Sequence, residues 1–498
     1  MVTVMVLVPG ALAGAPQDQN TPASSDFNLP QIGEAGGSVI TPQQEFQIGV
    51  QIMDQLQNAG AIVNDPQIHE YIDNLGHILS SHSDNPTLHF EYFVLDDPEI
   101  NAVTLPGGFI GVNSGLILAS DNEDELAGVI AHETGHVTQR HIARQIEDQQ
   151  DNGLLNLATL LGAILVATRS SDPNVAMGTL MTAQGEMIQH QINFTRSQEE
   201  EADRVGIQTL ARAGFPPNGM IDFFEKLQRN STLNGYDQIP EFLMDHPLDS
   251  TRMAYLRERA ARMHVPPRPD SRSYALMKAR LRVLVANDLD HTSKIFQAGV
   301  NSEHGWHKVA MEYGLSLVDT RLNHDSEAIS LMHALEQKYP DVVAFHIGLA
   351  QAQMGANQVK QATATYKAAM QIFPDSRPLT MSYASDMIDA DKPEAAITAL
   401  LAMSQVSSDD NGEVLRLLAK AYDKAGNPAD SHFYMSRYYS MTGLDDQALQ
   451  QLHIALAVPN ISDYQRQRYQ ASLDRVKKKL LTEHKGHSRD NDASFTIR

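Results

Sequence analysis

Residues 132–136 read His132-Glu133-Thr134-Gly135-His136. Two histidines four apart share a helix face, so both imidazoles can reach one ion. Glu133 projects beside them, placed to polarise a metal-bound water. The chemistry this permits is metal-assisted hydrolysis. A chance match in a chain this long has a probability of about 0.05, so the motif calls for a third ligand. Downstream the chain reads Gln198-Glu199-Glu200-Glu201-Ala202-Asp203. Glu199 and Asp203 fall on one helix face. Glu199 would complete a His2Glu zinc site with one position open. Asp203 is placed to hydrogen-bond a ligand imidazole or to carry a proton. Glu200 and Glu201 are weaker candidates. An acidic helix start is by itself more often matched to the helix dipole than to a metal.

These residues need elements to hold them. Ser120 with Glu123 reads as a capping box that opens a helix from Glu123 to about Asp148. Leu126, Val129, Ile130 and Val137 frame the histidines with apolar side chains. A second helix, near Ser197–Ala213, ends at Gly214. Leu88 to Leu95 reads as a strand, and 101–105 with 109–113 flank Pro106-Gly107-Gly108 as a hairpin. Upstream, Phe46, Val50, Met53 and Leu56 suit one helix face, and Ile68, Ile72, Leu75 and Leu79 another. Residues 154–167, LLNLATLLGAILVA, are apolar all round. That run is too short to span a bilayer and predicts a buried or site-covering helix.

Val265-Pro266-Pro267-Arg268-Pro269 marks a boundary. Beyond it the text is Ala-rich and repeats. Ala328, Ala362 and Ala396 are 34 apart, as are Ala350 and Ala384, and Tyr339-Pro340 returns as Phe373-Pro374. A helix pair closed by an aromatic-Pro turn at this period resembles a tetratricopeptide array. Ala429 and Ala448, around Gly426 and Gly443, suggest a further, less regular unit. The last predicted helix, Ile461 to about Leu481, is basic.

The chain has 498 residues, enough for two or three domains, and no cysteine. Disulfides, thiolate nucleophiles and Cys-based zinc sites are excluded. The net charge of −23 is uneven: the first Lys or Arg is Arg140, and residues 1–139 hold 18 acids. The remainder carries only −5. Such a front half is a poor phosphate binder, which argues against nucleic acid as partner. It suits a cation and basic or neutral polypeptides. No segment after the N-terminus is apolar enough for a transmembrane span. Residues 2–15 are apolar with small residues at Ala11-Leu12-Ala13 and Ala13-Gly14-Ala15, which predicts a signal peptide over 1–15 and export. A flexible leader over 16–40 follows.

HExxH followed some sixty residues later by an ExxAD-type helix resembles the HtpX- and Oma-type zinc metallopeptidases. The family's signature residues fall on His132, His136, Glu133 and Glu199, with Asp203 matching its Asp. Val137-Thr138-Gln139-Arg140-His141 and Glu199 to Gly206 are similar too. Pairing with a C-terminal tetratricopeptide array resembles the periplasmic members of Gram-negative bacteria that serve outer-membrane beta-barrel assembly. The resemblance runs from about residue 40 to 480. It implies a mostly α fold with a small β-sheet. A gluzincin-like HExxH metallopeptidase domain over 41–264 would precede an all-α repeat solenoid over 270–482 and a tail, 483–498. It implies one Zn2+ per chain. It also implies periplasmic endopeptidase activity joined to a chaperone-like role. Stalled or unfolded beta-barrel proteins would be the substrates, and the beta-barrel assembly machinery a partner through the repeats. Asp245-His246-Pro247 with Arg252 resembles the family's His-Pro…Arg segment over the site. There His246 is a possible gating ligand, against the plain alternative of a His-Pro turn. Asn101–Asn113 matches the family's edge-strand hairpin above the metal helix. The rival reading is a non-catalytic repeat scaffold with a silent zinc site.

Overall fold

A computed structural model describes residues 40–148, 195–234, 240–269, 271–406 and 412–493. The expected signal peptide, nearly all of the leader and the apolar run 154–167 lie outside the described residues.

Helices dominate, as their apolar spacing requires. Thr41 caps α1 (Pro42–Asn58) through a capping box with Gln44. Asp65 caps α2 (Pro66–Ser80), accepting from the amides of Gln67 and Ile68. Three short strands follow: β1 (Glu91–Leu95), β2 (Ala102–Leu105) and β3 (Phe109–Asn113). Their order is β1-β3-β2, with β1 parallel and β2 antiparallel to β3. The predicted hairpin is therefore present, and β2 is an edge strand.

After α3 (Ser114–Ala119) comes the HExxH helix α4 (Glu123–Thr138). Its cap is Asn122, which accepts from the Glu125 amide at 2.9 Å, and not the predicted Ser120. Ser120 is buried instead against Tyr274, whose hydroxyl lies 2.9 Å away. The expected single helix to Asp148 is two. Arg140 takes φ 50°, in the left-handed region, and α5 (His141–Asp148) starts in a new direction.

Helix α6 (Arg196–Arg212) packs along α4 at close range. A Cβ on Gly135 would meet the Ala202 carbonyl at 2.8 Å, and one on Gly206 the Ala131 carbonyl at 2.9 Å. Only glycine lets the backbones approach this closely, and that approach carries Glu199 and Asp203 to the histidines. Gly214, at φ 82°, follows α6 as predicted. Helices α7 (Asn218–Asn234), α8 (Glu241–Asp245) and α9 (Ser250–Ala261) complete the N-terminal core around Ile130, Phe223, Phe224 and Phe242.

Helix α10 (Arg272–Leu284) serves two cores. Tyr274, Met277 and Leu281 join the first, and Ala275, Leu276, Ala279 and Val283 join that of the repeats. Helix pairs then stack in order: α11 (Leu289–Ser302), α12 (Gly305–Arg321), α13 (Asp325–Lys338), α14 (Val343–Gly355), α15 (Val359–Ile372) and α16 (Arg377–Asp389). They continue through α17 (Pro393–Val406), α18 (Gly412–Lys424), α19 (Pro428–Met441) and α20 (Asp445–Ala457). The last helix, α21, runs Asp463–Ala493, into the segment expected as a tail. Ala328, Ala350, Ala362, Ala384 and Ala396 are all fully buried. Asn323, Asn357 and Asp391, again 34 apart, each take positive φ in the turns. Short polar side chains tolerate that geometry best among non-glycines.

The array returns to the N-terminal half at both ends. Leu444, between α19 and α20, packs with Val50, Phe93, Leu105 and Phe109. Arg280 on α10 donates to Asp65 at 2.9 and 2.6 Å, and both residues are buried. Replacing Arg280 by Met strands the Asp65 carboxylate without its counter-charge. The expected loss is about 3–5 kcal/mol of stability. Urea unfolding of the variant checks this, and an unchanged midpoint would contradict it.

Candidate metal centre

Helix spacing and the α4–α6 approach converge four donors. His132 Nε2 and His136 Nε2 lie 3.1 Å apart. Glu199 offers Oε2 at 3.4 Å from His132 Nε2 and Oε1 at 3.4 Å from His136 Nε2. Ligands about 2.0–2.1 Å from a tetrahedral ion stand about 3.3 Å from one another. The three separations match that spacing. His246 adds Nδ1, 3.3 Å from His132 Nε2 and 2.9 Å from Glu199 Oε1. One atom from each of the four lies within 4.8 Å of all the others. Imidazole nitrogens and a carboxylate oxygen without cysteine suit Zn2+ among the common divalent ions. The donor set therefore fits the ion the motif implies.

Electrostatics support the same grouping. Burial opposes protonation of His132, but Asp203 and Glu199 outweigh it and push the imidazole up to about 10. Burial holds His136 well below the usual imidazole range, leaving it neutral. Burial would raise Glu199, but His246, His132 and His136 hold it well below the usual carboxylate range. The carboxylates thus favour a positive charge at this focus, and a metal ion bound through His132 Nε2 would have to displace a proton from that ring.

Glu133 is fully buried beside the donors. Thr104 on β2 donates to its Oε2 at 2.7 Å. Its Oε1 accepts no hydrogen bond from the described residues, and His246 Nε2 stands 3.6 Å away. Burial pushes the Glu133 carboxyl above its ordinary range, against the pull of His246 and His132. The edge strand thus fixes one oxygen and leaves the other directed at the site.

Asp203 sits behind His132, with Oδ1 3.1 Å from Nδ1. Arg252 on α9 holds Asp203 through both oxygens, at 2.7 and 2.9 Å, and reaches Glu199 Oε2 at 3.0 Å. Arg252 also donates to the Pro247 carbonyl at 2.7 Å, which ties down the segment carrying His246. Phe242 stacks on the His246 ring with centroids 4.7 Å apart. Its amide donates to the Ile100 carbonyl at 3.1 Å, at the foot of the hairpin. With His246 in place the site is closed: His132, Glu133, His136 and Glu199 are at most 1% exposed.

The structure brings His132, His136, Glu199 and His246 together, with Glu133, Asp203 and Arg252 against them, whereas Glu200 pairs with Arg196 at the surface. Thr104 was not anticipated, because only the tertiary fold brings β2 to α4. His141 and Glu201 also meet, 3.1 Å apart, although Glu201 looked a weak candidate from spacing alone.

Residues 64–260 match peptidase family M48, and residues 326–384 match a tetratricopeptide repeat. A beta-barrel assembly-enhancing protease of Escherichia coli is 32% identical over 475 residues, covering 95% of this chain and 96% of that protein. A putative beta-barrel assembly-enhancing protease of Vibrio cholerae is 32% identical over 463 residues, covering 92% and 93%. The mitochondrial metalloendopeptidase OMA1 of Bos taurus is 27% identical over 191 residues, covering 36% and 35%. Family match, near full-length similarity and clustered donors agree: the chain belongs to peptidase family M48 and is a metallopeptidase carrying a tetratricopeptide array.

Proposed function

We propose that this chain is a periplasmic zinc endopeptidase that assists assembly of outer-membrane beta-barrel proteins and degrades those that stall. The observation that carries the catalytic half is the convergence of His132, His136 and Glu199 beside the free oxygen of Glu133. The names of the Escherichia coli and Vibrio cholerae relatives support the beta-barrel half. His132 Nε2, His136 Nε2 and a Glu199 oxygen would hold one Zn2+. A bound zinc supplies Lewis acidity, acidifying water toward neutrality and polarising a carbonyl. Glu133 Oε1 then takes the proton of the attacking water and passes it to the leaving amine. Thr104 keeps the other oxygen from turning into the site. Asp203 holds His132 in the tautomer that presents Nε2. Edge strand β2 offers its backbone to an extended substrate as an added strand.

The metallopeptidase unit is assigned to 41–264 and the repeat unit to 270–482. Stacked helix pairs form a surface suited to extended or partly folded chains. That surface is assigned the grip on beta-barrel substrates and the contact with the assembly machinery.

His246 is assigned the gate. Its imidazole occupies the position a substrate carbonyl needs. His246→Ala is expected to raise cleavage of an unfolded protein such as casein by about tenfold. That is the rate equivalent of a closed state held by about 1.4 kcal/mol. A rate equal to or below wild type would remove the gate.

Complementation in an outer-membrane permeability assay tests the joint function. The Glu133→Gln variant should restore the barrier only in part. Full restoration would favour the scaffold reading, and no restoration would place the whole role in proteolysis.

A further inference from the structure

The two histidines of the motif are held from behind in different ways. His132 faces a carboxylate directly, Asp203. His136 faces another imidazole: its Nδ1 lies 2.9 Å from Nδ1 of His141. His141 Nε2 in turn lies 3.1 Å from Glu201 Oε2, and Arg144 donates to that same oxygen at 2.7 Å. His141 is fully buried, while Glu201 is partly exposed.

The helix break at Arg140 makes this contact possible. In a continuous α-helix, residues five apart are separated by about 140° around the axis. His141 would then face away from His136. The left-handed Arg140, at φ 50°, interrupts the helix and returns His141 beneath His136. That backbone state costs roughly 1–2 kcal/mol for a non-glycine residue. The Arg140 guanidinium is held in place by the Ile40 carbonyl at 3.4 Å and by Glu45.

Proton accounting fixes the direction of the chain. An ionised carboxylate paired with Arg144 can only accept, so His141 Nε2 carries a hydrogen and donates to Glu201. Neutral His141 then has a lone pair on Nδ1. His136 must donate to it from its own Nδ1, which leaves the His136 Nε2 lone pair facing the donor cluster. We infer that His141 is a positioning residue for the metal centre. It locks His136 into its metal-binding tautomer and orientation, and Glu201 with Arg144 anchors it from the surface. This inference rests on the zinc reading above and extends it outward by two residues.

The test is Zn2+ affinity, measured on the full chain by competition with a chromogenic chelator. His141→Phe keeps the ring and removes both nitrogens. It should weaken Zn2+ binding about 10–100-fold, as loss of an outer partner of a ligating histidine does. Circular dichroism of the chelated protein should stay at the wild-type signal. His141→Asn places an acceptor oxygen where Nδ1 stood and should regain most of the affinity, despite its smaller volume. A role in packing alone predicts the opposite order. Glu201→Leu, at a partly exposed position, removes the terminal acceptor and should weaken binding severalfold. Wild-type affinity in the Phe variant would overturn the relay, as would an Asn variant no tighter than Phe. If the Phe variant fails to fold, wild-type affinity in Glu201→Leu has the same consequence. A wild-type chain that takes up no Zn2+ would overturn the zinc reading itself.

Discussion

Glu133→Gln will lower peptide cleavage by about 10²–10⁴-fold, the usual contribution of a positioned general base. Glutamine keeps the size of the side chain and can still accept from Thr104, whose hydroxyl holds Glu133 Oε2 at 2.7 Å. It cannot take a proton. The substitution therefore replaces the proton-accepting oxygen by a non-basic amide nitrogen while leaving the metal donors untouched. KM should stay close to wild type and kcat should fall, because the interaction lost is one made during the chemical step. Zinc content should be unchanged. A variant that still cleaves at the wild-type rate would show that Glu133 is not the base.

Arg252→Met will have the largest effect on stability of any single change at the site. The guanidinium is 1% exposed and faces two buried carboxylates, Asp203 and Glu199. Removing it strips Asp203 of its bidentate partner and Glu199 of a nearby cation, and the expected loss is about 3–5 kcal/mol. Lysine should rescue only partly, since it cannot reproduce the bidentate contact with Asp203. The loss should be greatest in chelated protein. Bound zinc itself compensates the Glu199 charge and adds binding free energy to folding. Urea unfolding with and without chelator measures both effects. Equal midpoints for wild type and Arg252→Met in chelated protein would contradict the assignment. Arg252 also fastens Pro247, so the variant is expected to loosen the His246 segment and raise residual cleavage in the fraction that folds.

Much of this architecture was legible because it is written in local spacing. His132 and His136 are four apart on one helix, and Glu199 opens another. Repeat alanines return every 34 residues, and all are buried. What was not legible depends on contacts between distant segments or on backbone states that side-chain type does not announce. Thr104 reaches Glu133 only because the sheet lays β2 against α4. Arg140 carries no glycine-like signature, so a single long helix was the natural expectation, and the break that turns His141 back was hidden with it. Ser120 fits a capping box on paper, yet Asn122 wins the cap because Ser120 is drawn into the core by Tyr274. The base-free run of the sequence ends at Arg140, two residues past the helix that carries His132 and His136.

His132, His136 and Glu199 are proposed to hold one zinc that serves peptide hydrolysis. Elemental analysis of purified wild type, Glu133→Gln and His136→Ala, each paired with a casein-cleavage assay, tests this proposal most directly. One zinc per chain is expected in wild type and in Glu133→Gln, with cleavage in wild type alone. His136→Ala is expected to lose both zinc and cleavage. Zinc and cleavage retained at wild-type levels in His136→Ala would contradict the proposal.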